Sequence, residues 1–242
     1  FSVPTWITGI ILTIFAAVVI IGGIKTIGKV TAFFVPFMAL FYIIAGIIIM
    51  ILNMDLIPAA LGTIFSAAFT GEAAVGGAIG AAIRYGVARG VFSNEAGLGS
   101  APIAAAAAKT DMPGRQALVS MTQVLFDTLI ICSITGITIV MSGLYKDDSL
   151  EGAALTTAAF EQFLGGVGPY IVAIGLVFFA SSTIIGWSYY GEKCFQYLFK
   201  NPSLLIVYRI AFVAMVFVGA TVSLDVVWTF SDVMNGLMAF PN

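Results

Sequence analysis

Long apolar runs recur along this chain, and most of its charged residues stand in the short segments between them. A helix crosses the roughly 30 Å hydrocarbon core of a bilayer with about 20 apolar residues, a length that these runs reach. The runs are continuous and lack the alternating polarity of strands in a membrane β-barrel. Because 60% of the residues are hydrophobic and only 9% are charged, too few polar side chains exist to cover a water-facing surface. The pattern predicts an all-α polytopic membrane protein.

The runs predict about seven membrane spans in a single transmembrane domain over residues 1–242. Cations concentrate in alternate turns, such as those of Lys25 and Lys109, and the positive-inside rule places these turns in the cytoplasm. Because the chain opens on Phe1 within an apolar run and stops soon after another, we expect an internal piece of a longer protein. The predicted spans are residues 6–23, 31–52, 78–108, 117–141, 167–190, 204–219 and 224–240.

Composition excludes several functional classes before any motif is considered. The chain contains no histidine, which removes catalytic triads with a histidine base and histidine metal ligands. Its net charge of −2 offers no basic surface for a nucleic acid. Cys132 and Cys194 lie far apart in apolar segments, and no nucleotide or transition-metal motif is present. We therefore expect no cofactor, no transition-metal site, no nucleic-acid partner, and a lipid bilayer around the chain.

The run over residues 78–108 contains residues that a lipid-facing helix does not tolerate. As one straight helix it would be about 46 Å long, well beyond the thickness of the bilayer core. Irregular backbone at membrane depth survives only where it is buried in protein or lines a cavity. We therefore predict a discontinuous helix around Phe92–Pro102, with a closely packed small-residue helix as the alternative. The interrupting residues are Gly90, Ser93, Asn94, Glu95, Gly97, Gly99 and Pro102.

A second polar cluster, Ser181–Thr183, stands inside the predicted span over residues 167–190. Hydroxyls on a spanning helix commonly donate to a carbonyl one turn earlier, which is a structural role. Three consecutive hydroxyls also fit a Na⁺ site, because hard cations prefer oxygen ligands. Trp187 lies four residues after Thr183 and shares its helix face. Trp187 either closes a small pocket there or packs as one more aromatic side chain.

Three stretches carry a specific pattern, and the similarity extends over essentially the whole chain. They are residues 86–102 (GVARGVFSNEAGLGSAP), 126–132 (FDTLIIC) and 183–192 (TIIGWSYYGE). These stretches resemble the alanine or glycine:cation symporter family of the amino acid–polyamine–organocation superfamily. The resemblance implies a LeuT-type bundle of five plus five inverted-repeat helices. This chain would then be the C-terminal part of the transporter core, and the N-terminal helices, including the first broken helix, would be missing.

The resemblance also implies roles for residues at matching positions. The stretch Phe92–Gly99 resembles the unwound part of the sixth core helix, whose polar groups and backbone would contact the amino acid. Trp187 would cap a small side chain and exclude larger ones. Thr183 would serve either the substrate or the sodium site. The implied substrate-binding residues are Phe92, Ser93, Asn94, Gly97, Thr183 and Trp187, and the implied cation-binding residues are Ser182 and Thr183.

Ionisable residues at membrane depth are candidates for gating or coupling. Glu95 is expected to stabilise the unwound backbone by accepting N–H bonds, and Asp127 has either a structural or a coupling role. Arg84 or Arg89 is expected to pair with Asp225 or Asp232 as an outer gate, or to extend to the interface. The candidates for gating or coupling are Arg89, Glu95, Asp127 and Asp225.

Together these features predict sodium-coupled symport of alanine and glycine by a multi-pass protein of the plasma (inner) membrane. The alternatives are a proton-coupled amino-acid transporter and a passive facilitator or channel. An intramembrane enzyme is not expected, because without histidine it would need a pair such as Ser–Lys, and the lysines lie in turns near the ends of spans.

Overall fold

The computed structural model describes residues 3–21, 23–69, 78–147 and 149–242, with backbone only for residues 23–25, 69 and 78–85. Within these ranges every regular element is a helix, and no strand occurs. A π-helical segment, Leu125–Cys132, continues α6 into α7. The helices are α1 (Thr5–Ile21), α2 (Gly23–Leu52), α3 (Ile57–Phe69), α4 (Ala78–Asn94), α5 (Ala101–Ala105), α6 (Pro113–Val124), α7 (Ser133–Ser142), α8 (Gly152–Leu164), α9 (Gly168–Phe199), α10 (Leu205–Thr221) and α11 (Leu224–Ala239).

Four helical stretches of the described ranges are long and apolar enough to cross a membrane, as a polytopic protein requires. Two shorter apolar helices, Thr5–Ile21 and Ile57–Ala68, accompany them. The number of seven spans and their grouping in a single domain stay predictions. The four stretches are Thr26–Leu52, Pro113–Ser142, Gly152–Phe199 and Pro202–Thr221.

Helix ends mostly follow the sequence signals, with one informative exception. Helix α7 ends at Gly143, whose left-handed backbone (φ 72°) is the usual way to stop a helix with glycine. Helix α2 continues through Pro36, where a kink is predicted. Helix α9, in contrast, runs on to Phe199, whereas the predicted span ends at residue 190. The predicted span is the part that crosses the bilayer, and the helix continues beyond it through Glu192, a residue type that favours helices.

The described residues fall into two compact units that alternate along the chain. The first unit holds the residues up to Pro36, Gly97–Lys109 and Phe178–Asn242. The second unit holds Phe37–Ala96 and Thr110–Val177.

In the first unit, α1 packs closely along α10. A Cβ atom at Gly9 would come within 3.2 Å of the side chains of Ala220 and Phe217, so glycine permits the close approach. A buried apolar cluster joins α1, α2 and α9 through side chains that include Val19, Ile27 and Ile185. Close packing of this kind is the main source of helix association in a bilayer, where lipid is as apolar as the side chains.

In the second unit, α2, α7 and α8 are joined by both close packing and a hydrogen bond. Gly46 lies so close to the side chain of Ile134 that a Cβ atom there would overlap it. The hydroxyls of Tyr42 and Thr135 lie 2.8 Å apart, and the Tyr42 ring packs on Phe160, which is fully buried. The polar contact gives Tyr42 a partner away from water, as a buried hydroxyl requires.

Candidate functional site

The predicted interruption of the helix is present, and it is shorter than the sequence indicates. Helix α4 ends at Asn94 and α5 begins at Ala101, with Glu95–Ser100 outside any helix. Phe92, Ser93 and Asn94 were expected in the unwound part and instead form the last turn of α4. The five residues of Ala101–Ala105 are all that remains of the expected second half-helix.

The backbone of the break is left-handed at alternate residues. Gly97 (φ 81°) and Gly99 (φ 78°) adopt this conformation at little cost because they have no Cβ atom. Glu95 adopts it as well (φ 57°), which for a side-chain-bearing residue costs on the order of 1–3 kcal/mol. Strain of this size is characteristic of functional positions when the surrounding structure maintains it.

Asn94 has a local role that the sequence did not indicate. The last helical hydrogen bond joins the Glu95 N–H to the Val91 carbonyl over 2.8 Å. The Asn94 Oδ1 atom then accepts the Ala96 N–H over 2.9 Å, which closes the helix end as an Asx turn. Asn94 therefore shapes the backbone at the start of the break, beside its predicted contact with the amino acid.

Ser93, in the last turn of α4, donates its hydroxyl to Asp127 Oδ2 over 2.5 Å. Thr128 Oγ1 donates to the same oxygen over 3.2 Å, and Cys132 Sγ lies 3.5 Å from Ser93 Oγ. Two residues that the sequence analysis named separately, Ser93 and Asp127, are thus brought together, while Thr128 and Cys132 were missed. We call the group of Ser93, Asp127, Thr128 and Cys132 the Asp127 cluster.

The backbone under Asp127 is π-helical from Leu125 to Cys132. A π-helical segment is rare, leaves backbone groups imperfectly paired, and is frequent at functional sites. Sequence periodicity does not reveal it, because the same apolar residues suit an α-helix equally well. The motif of residues 126–132 was the available signal, and it coincides with this segment.

The hydroxyls of α9 are placed in three different ways. Ser182 Oγ donates to the Phe179 carbonyl over 3.0 Å, the structural role that the sequence analysis allowed. Ser181 is buried and Thr183 is exposed. Trp187 is half-buried and packs edge-to-face on Tyr190, with ring centres 5.6 Å apart. The sodium and substrate roles of Ser182, Thr183 and Trp187 stay predictions.

The predicted gate residues lie on separate helices. The guanidinium of Arg89 stands 6.0 Å from the Phe92 ring centre, at the limit of a cation–π contact. Asp225 lies in the first turn of α11, where a carboxylate complements the helix dipole. The side chain of Arg84 lies outside the described residues, and Asp232 lies within α11. The gate pairing stays a prediction.

The predicted site residues divide between the two units. Gly97, Ser182, Thr183, Trp187 and Asp225 belong to the first unit, and Arg89, Phe92, Ser93, Asn94, Glu95 and Asp127 belong to the second.

Comparison with known proteins supplies a family. Residues 1–242 match the sequence pattern of the sodium:alanine symporter family. Because this is a family of transporters, the match places the chain among transporters and not among enzymes. With the apolar helices described above, it also identifies a multi-pass protein of the plasma membrane.

Three relatives have names that differ in the amino acid or the cation they mention. The sodium/alanine symporter AgcS of Methanococcus maripaludis is 58% identical over 100% of this chain and 54% of its own length. The probable sodium/glutamine symporter GlnT of Bacillus subtilis is 39% identical over 97% of this chain and 49% of its own length. A sodium/proton-dependent alanine carrier protein of Bacillus sp. strain PS3 is 31% identical over 100% of this chain and 58% of its own length. The chain thus spans about half the length of the relatives it matches.

Proposed function

This chain belongs to the sodium:alanine symporter family, and on that premise we propose that it is part of a cation-coupled amino-acid symporter. The complete protein carries alanine, and with it glycine, across the plasma membrane by alternating access, in a LeuT-type bundle. No covalent bond forms or breaks. Cation and amino acid each stabilise the same arrangement of the helices, so each raises the other's affinity by the same factor.

The Asp127 cluster is the observation that carries cation coupling. A carboxylate inside an apolar helix is costly unless a partner compensates its charge. Within the described part of the chain, both hydrogen-bond donors to Asp127 are neutral hydroxyls, those of Ser93 and Thr128. Hydroxyls orient the carboxylate and leave its negative charge in place. A mobile cation completes the group, and oxygen ligands of this kind suit Na⁺.

The position of the cluster links the cation to the amino acid. Ser93 precedes the break by two residues and holds Asp127 directly. A cation that changes the position of Asp127 therefore acts on the end of α4, from which the unwound backbone begins. We assign the amino acid to that backbone, together with Phe92, Asn94 and Gly97, and we assign Trp187 to the exclusion of larger side chains. The names of the relatives AgcS (sodium/alanine) and the strain PS3 carrier (sodium/proton-dependent alanine) support alanine as the amino acid that is carried.

The test is alanine uptake by the complete parent protein in sealed proteoliposomes, with and without an inward Na⁺ gradient. We expect accumulation above equilibrium that depends on Na⁺. Asp127→Asn keeps the size of the side chain and removes its charge, and it is expected to lower Na⁺-driven accumulation roughly 100-fold. The matched control is Asp147→Asn, which changes an exposed loop carboxylate that also accepts a serine hydroxyl, and it is expected to transport normally.

Each of the other outcomes would contradict a different part of the proposed function. If a proton gradient drives alanine accumulation and Na⁺ has no effect, the coupling ion is the proton and not sodium. Equilibration without accumulation under both conditions contradicts symport and supports a passive facilitator. If Asp127→Asn accumulates alanine with the same dependence on Na⁺ as wild type, the Asp127 cluster has no part in cation coupling.

A further inference from the structure

The side chain of Asn242, which follows α11, lies on the unwound stretch in the first unit. Its Nδ2 atom donates to the Gly97 carbonyl over 3.1 Å. Its Oδ1 atom lies on the other glycine of the break, since a Cβ atom at Gly99 would stand only 3.0 Å from it. One carboxamide therefore contacts both of the left-handed glycines, an arrangement that the sequence did not predict.

A backbone carbonyl freed from a helix needs another hydrogen-bond donor. Asn242 supplies that donor to Gly97. The hydrogen bond also sets the direction of the Gly97 peptide group, and with it the groups of Leu98 and Gly99 that follow. Asn242 consequently controls the orientation of this part of the break from a different segment of the chain.

We propose that Asn242 is a positioning residue of the amino-acid site, an inference that rests on the proposed function. It acts through the Gly97 carbonyl and does not need to touch the amino acid. Its loss removes this hydrogen bond and leaves the orientation of the unwound stretch variable. The affinity for alanine then falls, while the rate of the transport cycle at saturation changes little.

The first test measures KM and maximal rate of alanine uptake for the complete parent protein carrying Asn242→Asp. Aspartate has the same shape, loses the N–H donor and places an oxygen against the Gly97 carbonyl. We expect KM to rise by up to about tenfold, the size that follows from losing one hydrogen bond, with a maximal rate within about twofold of wild type. Asn242→Gln keeps a donor and is expected to restore KM to within about threefold.

Asn53→Asp is the matched control. The Asn53 Nδ2 atom donates to the Ile49 carbonyl over 2.8 Å, so the same chemical change removes the same kind of bond at the end of α2. We expect its KM to equal that of wild type. A purely structural role for Asn242 would lower the amount of folded protein and the maximal rate at constant KM, and that result overturns the proposal.

A second test does not depend on the folding of Asn242→Asp. Gly99→Ala introduces a Cβ atom beside Asn242, whereas Gly97→Ala introduces the same backbone strain with no atom within 4 Å of the new group. The alanine affinity of the Gly99→Ala/Asn242→Ala double variant should exceed the value expected from the two single variants, because the steric conflict is relieved. If the effects of Gly99→Ala and Asn242→Ala on alanine affinity are independent, the contact between Gly99 and Asn242 is contradicted, and the proposal with it. Failure of the wild-type parent to accumulate alanine would instead reject the proposed function.

Discussion

Two carboxylates inside apolar helices, Glu192 of the first unit and Asp127 of the second, have hydrogen-bond partners of different kinds. In the first unit, Glu192 is 6% exposed and receives two bonds from Arg209, Nε to Oε2 over 2.8 Å and Nη2 to Oε1 over 3.1 Å. In the described part of the second unit, the hydroxyls of Ser93 and Thr128 donate to Asp127. The first carboxylate has a permanent counter-charge, and the second has none among the described residues.

The difference separates a charge that is paired within the fold from a charge to which we assign the coupling ion as a proposal. A bidentate pair with arginine is strong and directional, and the same Arg209 also reaches the Ile21 carbonyl at the end of α1 over 3.4 Å. Arg209 thus joins three helices of the first unit. Asp127 is held by neutral hydroxyls and has no counter-charge among the described residues.

The largest expected effect comes from the same carboxylate-to-amide change at the two positions. Glu192→Gln leaves the half-buried Arg209 uncompensated and should lower the free energy of unfolding by about 2–3 kcal/mol, below the value for a fully buried pair. Asp127→Asn leaves no unpaired charge behind and should change it by less than about 1 kcal/mol. Thermal unfolding of the purified parent protein in detergent measures both.

The double variant Glu192→Gln/Arg209→Met serves as the control for that experiment. Because it removes both charges, it should recover most of the lost stability. Equal destabilisation by Glu192→Gln and Asp127→Asn would contradict the distinction between the two carboxylates.

A smaller effect is expected from Ser93→Ala, which removes one donor from Asp127 and keeps the charge. The apparent Na⁺ affinity for alanine uptake should fall about tenfold, since a hydrogen bond to a charged group contributes about 1.5–3 kcal/mol. Ser149→Ala breaks an equivalent bond, 2.6 Å long, to Asp147 in a loop and should leave Na⁺ affinity unchanged. A similar loss in both variants would show that the Ser93 bond has no special part in coupling.

The smallest effect is expected beside the arginine pair. The hydroxyl of Tyr208 donates to the Ser188 carbonyl over 3.1 Å, between α10 and α9. Tyr208→Phe should lower the free energy of unfolding by about 1 kcal/mol and leave Na⁺ affinity unchanged, because this bond is structural. Tyr197→Phe, at an exposed ring on α9, is the control with no expected change. A change in Na⁺ affinity in Tyr208→Phe would contradict the structural role and show that this bond takes part in cation coupling.

Much of the fold followed from periodicity and residue type. The break and most helix ends lie close to their predicted positions, because glycine, proline and long apolar runs act over a few residues. Helix α9 extends to Phe199, beyond the predicted span end at residue 190, because a helix can continue outside the bilayer. The π-helical segment under Asp127 left no trace in the apolar pattern.

The candidate site was predictable as a set of residues and not as a set of contacts. Ser93 and Asp127 were named for their polarity at membrane depth, and the family resemblance covered both. Their hydrogen bond, the Asx turn of Asn94 and the contact of Asn242 with two glycines were not foreseeable, because each joins groups whose directions depend on local backbone conformation.

The sequence by itself determined the class of protein, its membrane surroundings, its family and the location of the break, because these follow from composition, apolar length and specific motifs. Only the tertiary structure decided which polar groups meet. Glu192 and Asp127 have the same chemistry in the printed sequence, and their partners come from helices 17 and 34 residues away. Packing between helices, which no local pattern specifies, gave Glu192 an arginine and gave Asp127 the hydroxyl of Ser93, while the second hydroxyl comes from the adjacent Thr128.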